Sequence, residues 1–183
     1  MDEGRFGLKV WFRRRWCPKG VRPTWEVQDR YEWRWLYAAV EPTTGQSYFL
    51  LLPRVDRTRK RVPGLQVFLD HFATAQRPPP DGASKIGLVW DGSGSHRSTK
   101  LTWPDHLKPV PVPPYSPELN PAEQVMRVLR ERLANQIFAD LDELDGAIEA
   151  VLHEWWANPT RLQRLTGYEW WRDGVESITI LSS

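Results

Sequence analysis

The sequence predicts an α/β fold, and three observations carry that prediction. Residues 32–52 have the aromatic and aliphatic pattern of a β-hairpin, Ile86–Trp90 is a short and wholly apolar run, and two amphipathic helical stretches follow it. In the hairpin, Glu32–Val40 and Ser47–Leu52 supply the strands, and Pro42-Thr-Thr-Gly45 supplies the turn. Residues 54–61 carry five basic side chains and one acid, which reads as an exposed loop. After Pro63, Leu65, Phe68, Leu69 and Phe72 recur at helical spacing as far as about Ala75. Pro78-Pro79-Pro80 and Asp81-Gly82 end that helix.

The run Ile86–Trp90 fits a strand buried on both faces, as in parallel sheets. The proline-rich passage beyond it has room for one short strand, around Val110–Val112. A helix then starts with Asn120 as N-cap and Pro121 at its first position, placing Val125, Leu129 and Leu133 on one face. A second starts near Asp140 and buries Leu144, Ile148, Val151, Leu152 and Trp155. The order is strand, strand, helix, strand, short strand, helix, helix.

The 183 residues, 40% hydrophobic and 26% charged, suit one soluble globular domain. No run approaches the roughly 18 apolar residues of a membrane helix, and the opening Met-Asp-Glu is not a signal peptide. The expected location is the bacterial cytoplasm, at the nucleoid. A single cysteine, Cys17, excludes an internal disulfide framework and a thiolate zinc site. Eleven tryptophans argue for a substantial core or a stacking surface. The net charge of +2 hides an asymmetry: residues 1–62 hold 14 Lys and Arg against 7 Asp and Glu, and the remainder holds 11 against 16. An arginine-rich first third points to a polyanion, because the planar guanidinium bonds phosphate bidentately.

Several residues are candidates for chemistry. Asp91 directly follows the apolar strand, at the end where ligands collect in open α/β sheets, although Asp-Gly is also an ordinary turn. His96 and Arg97 lie in the Gly/Ser-rich loop after it, whose spacing fits no phosphate-loop fingerprint. Glu123 is the third residue of its helix, the capping-box position, where a carboxylate also stays ionised. Arg13, Arg14 and Arg15 stand between Trp11 and Trp16, a pattern suited to tracking a DNA backbone or meeting a second subunit. Trp33 and Trp35 of the hairpin read as core.

The combination of Asp91-Gly-Ser-Gly-Ser-His96 with Val112-Pro-Pro-Tyr-Ser-Pro-Glu-Leu-Asn-Pro-Ala-Glu123 resembles the catalytic core of mariner-related bacterial insertion-sequence transposases. The resemblance extends to Asp2–Leu8, the Cys17–Pro23 loop, Ala39–Gly45 and the Leu144–Trp171 tail. It implies a DDE-type, ribonuclease-H-like fold: a mixed sheet flanked by helices, in which the first and fourth strands are parallel neighbours. It also implies that Asp2, ending the first strand, Asp91, ending the fourth, and Glu123 are the catalytic acids and metal ligands. They would hold two Mg²⁺ ions, replaceable by Mn²⁺, for DNA strand cleavage and strand transfer, while Glu3 and His96 bind no metal.

By the same resemblance residues 1–157 form the catalytic domain and 158–183 a tail that packs on it or trails from it. No helix-turn-helix DNA-binding domain is present, and most of the central first strand is expected to be missing before Asp2, an N-terminal truncation. The implied partners are double-stranded DNA (transposon ends and target) and a second copy or an upstream transposase half, with no membrane. The alternative function is a catalytically inactive remnant, or half of a split transposase, that only binds DNA or associates with intact transposase.

Overall fold

The computed structural model describes residues 1–14, 16–22, 24, 26–53, 62–76, 85–91 and 99–174. Its elements in order are β1 (Asp2–Gly7), β2 (Trp33–Val40), β3 (Ser47–Pro53), α1 (Val62–Ala75), β4 (Ile86–Trp90) and β5 (Leu107–Pro111), followed by a single 3-10 turn (Pro117–Leu119) and then α2 (Pro121–Leu133), α3 (Leu141–Ala157) and α4 (Pro159–Thr166). The basic run 54–61 lies outside the described residues.

Strands β1, β2 and β3 form an antiparallel sheet with β2 in the middle. Four successive β2 residues, Leu36 to Ala39, are buried because both faces of that strand are covered. Leu36 and Ala38 join Phe6, Leu8 and Phe49 against α2, α3 and α4. Tyr37 and Ala39 turn the other way, toward Leu65, Phe68, Leu69 and Phe72 of α1 and toward Leu88 and Trp90 of β4. The result is a sheet between two helical layers, each layer holding its own apolar core. In the β2–β3 turn, Gly45 has φ +76°, and a side chain there would overlap the Pro159 carbonyl at the start of α4.

Five sequence expectations are corrected here. The first strand runs onward from Asp2 instead of ending at it, because Asp2, Gly4 and Phe6 alternate inward while Asp2 to Gly7 pair with Ala38 to Trp33. Strand β4 pairs with β5, not with β1. The Met1 amino group, at the start of the antiparallel sheet, donates to the Val89 carbonyl of β4. Moreover, β4 is covered on one face: Leu88 and Trp90 are buried while Gly87 is exposed. The short strand spans Leu107–Pro111, earlier than Val110–Val112, and its two prolines fit an edge position whose N–H groups need no partner. Trp33 and Trp35 are half-buried; Trp35 packs against the α1-side core, and Trp33 lies under the Arg5 guanidinium.

Candidate active site

Three acids lie within electrostatic range of one another, Asp2 where β1 begins, Asp91 where β4 ends and Glu123 where α2 begins, with Glu123 coupled to both of the others. Asp2 is buried, 6% exposed, while Asp91 and Glu123 are half-buried. Local sequence explains each position. Asp91 follows β4 at the point where the strand breaks, and Pro121, with its preset φ, starts α2 so that Glu123 falls in the first turn.

Asn120 binds these elements together. Its Oδ1 accepts from the Ala122 amide at 3.2 Å and caps α2, while its Nδ2 donates to the Met1 carbonyl at 2.9 Å, beside Asp2. The side chain is 1% exposed, so both bonds are shielded from water. Gly4 permits the close approach of α2 to β1: a methyl group there would lie 2.9 Å from both the Met126 sulfur and the Phe6 ring. On the other flank, the Val112 amide donates to the Trp90 carbonyl at 3.0 Å and carries the chain away from Asp91 toward α2.

The electrostatics of the cluster are those of crowded negative charge. Burial, then the neighbouring Glu123 and Glu3 carboxylates, push the Asp2 carboxyl up to about 7. Burial also raises Glu123; the Arg130 guanidinium opposes that rise, and Asp91 and Glu3 add to it. Among the described residues no three His, Cys, Asp or Glu side chains stand close enough to hold an ion as placed. The acids therefore form an electrostatic neighbourhood and not a closed cage. Their chemistry nevertheless suits a hard divalent cation, since all three donors are carboxylate oxygens and a positive charge would relieve the repulsion that raises Asp2.

The sequence placed Glu123 in a capping box, and this is corrected: the Asn120 amide donates to the Pro117 carbonyl at 3.0 Å, so the preceding 3-10 turn takes the partner Glu123 would have used. Arg13 donates to Glu131 of α2 at 2.7 Å, and its backbone amide donates to Asn135 Oδ1. Arg14 is exposed. Arg15, His96 and Arg97 lie outside the described residues. Sequence reasoning saw Asn120 as a cap but missed its bond to Met1, for which no local signal exists. It also missed Gly4 and Arg130. The seven-residue interval from Glu123 to Arg130, two helical turns, was the available clue to the second.

No helix among the described residues is long and apolar enough to cross a membrane. A family model described as DDE superfamily endonuclease matches residues 1–145. The uncharacterized protein y4pE/y4sA of Sinorhizobium fredii is 32% identical over 139 residues, a stretch that covers 75% of this chain and 96% of that protein. Among solved structures, a pre-cleavage Mos1 transpososome superposes with a TM-score of 0.63 at 18% identity, over 96% of this chain and 54% of the Mos1 chain. The Mos1 transposase paired-end complex with left transposon end gives 0.61 at 19% identity, over 91% and 50%. This chain thus spans about half the length of the Mos1 chains, and the likeness is one of fold, a ribonuclease-H-like α/β fold. Fold, family model and rhizobial relative agree, and the chain belongs to the DDE superfamily endonucleases.

Proposed function

We propose that this chain is the catalytic domain of a DNA transposase that cleaves a DNA strand and transfers the freed end into a target, with Asp2, Asp91 and Glu123 as the catalytic acids and metal ligands. The observation that supports the reading is the electrostatic coupling of Glu123 to both Asp2 and Asp91, with Asn120 fixing the start of β1 against the start of α2. Residues 1–157 are read as the catalytic unit and 158–183 as its tail. Bound at the three carboxylates, two Mg²⁺ or Mn²⁺ ions supply activation of the attacking oxygen and charge stabilisation at the leaving 3′-oxygen.

The chain's own residues orient and exclude. Asp2, buried against α2, presents its carboxyl from a rigid strand, and Glu123 presents its own from the first turn of a helix packed on that strand. Double-stranded DNA is the proposed substrate and partner, with Arg13, Arg14, Arg15, His96 and Arg97 as backbone contacts and a second copy of the chain as a further partner. Arg13 must then share its guanidinium with Glu131.

The test is nicking of duplex DNA by the full chain in Mg²⁺ or Mn²⁺. Activity that depends on the metal and vanishes on Asp91→Ala supports the enzyme. Well-folded protein that binds DNA but never cuts it, with either metal, supports the non-catalytic alternative and removes this reading.

A further inference from the structure

Tyr115 stands in a conformation that its side chain does not favour. Its φ is +61°, in the left-handed region, where a bulky residue is an outlier. The only other described non-glycine residue with positive φ is Asn135, a type that tolerates it. The Tyr115 ring is fully exposed and gains no packing in return for the strain. A residue chosen for its backbone would be glycine here, so the aromatic ring is what this position holds.

Its placement says what the ring is for. The segment 113–119 has both ends pinned at the acids. Val112 is bonded to Trp90, next to Asp91, and Asn120 is bonded to Met1, next to Asp2. Pro113, Pro114 and Pro117 restrict the backbone between, the Leu119 amide donates to Ser116, and Trp171 Nε1 donates to the Leu119 carbonyl at 3.2 Å. Three residues of chain from Val112 span at most about 11 Å, so Tyr115 is tethered within that reach of the strand end that carries Asp91.

We infer that Tyr115 is a stacking residue for an unpaired nucleobase beside the DNA strand being cut. Every base offers a π-face to such a ring whatever its sequence, and a stacked base would hold the strand open next to the acids. The inference rests on the DNA reading above and adds the base contact to it.

The experiment compares wild type, Tyr115→Gly and Tyr115→Phe on two short duplexes, one blunt and one with an unpaired end carrying 2-aminopurine. Binding is followed by anisotropy, stacking by quenching of the 2-aminopurine, and folding by thermal melts. Wild type and Tyr115→Phe should prefer the open end by about tenfold and quench its fluorescence, in keeping with the worth of one base–aromatic stack. Tyr115→Gly should lose the preference and the quenching while melting at the same or a higher temperature, because glycine relieves the strain. A glycine variant that keeps the preference, a wild type that shows none, or a glycine variant that melts lower overturns the inference and leaves the DNA reading standing. Failure of wild type to bind either duplex overturns both.

Discussion

Asp2 is a carboxylate held out of water beside other carboxylates. A carboxyl raised to about 7 when folded, against the usual 3.8, is charged more readily in the unfolded chain. The protonated form therefore stabilises the fold fully below about pH 4, and that stability is lost as pH rises to about 7. Asp2→Asn should remove this slope. In chelator, denaturant melts near pH 8 should show the variant more stable than wild type by on the order of 3 kcal/mol, and the gap should shrink below about pH 5. Asn120→Ala removes the cap and leaves the Met1 carbonyl buried without its donor, and should cost about 2 kcal/mol in the same melts. Sequence displayed the chemical identity of these residues but not their company. The cap at Asn120 follows from its neighbours in the chain, whereas its bond to Met1 joins positions far apart in sequence.

At the scale of elements, the packing of α2 on β1 depends on what Gly4 lacks. Gly4→Ala places a methyl group against Met126 and Phe6 and should destabilise by about 1 kcal/mol, with Gly4→Val costing more. Combined with Met126→Ala the cost of Gly4→Val should be less than additive, a coupling that a double-mutant cycle measures directly. Elements with a strong local pattern were readable in advance. The apolar run 86–90 coincides with β4, and Leu144, Ile148, Val151, Leu152 and Trp155 are the buried face of α3. Elements set by distant partners were not. Strand β5 begins at Leu107 because it follows β4 in parallel register, and β1 forms because β2 lies beside it. Prolines at 109 and 111 argue against a strand unless its edge position is known.

The whole molecule has two cores on opposite faces of one sheet. Leu162 of α4 is fully buried in one and Phe68 of α1 in the other. Leu162→Ala should cost about 3 kcal/mol and Phe68→Ala about 4 kcal/mol. Since the two share no core, their effects should add to within about 0.5 kcal/mol in chemical denaturation. The three-layer architecture follows from a hairpin apolar on both faces together with the amphipathic helices that come after it in sequence, α1 covering one face and α2, α3 and α4 the other. The pairing of strands does not follow from pattern, because periodicity states which face is buried and not which strand lies alongside.

The bond from Asn120 to Met1 also sets an order of events during synthesis. Asp2 is made well before the residue that anchors its strand to α2, which follows 118 positions later, and the core beneath α2 is closed by Leu162 of α4. A chain emerging from the ribosome thus carries Asp2 in an unfinished site until α2 has been made and has settled on β1.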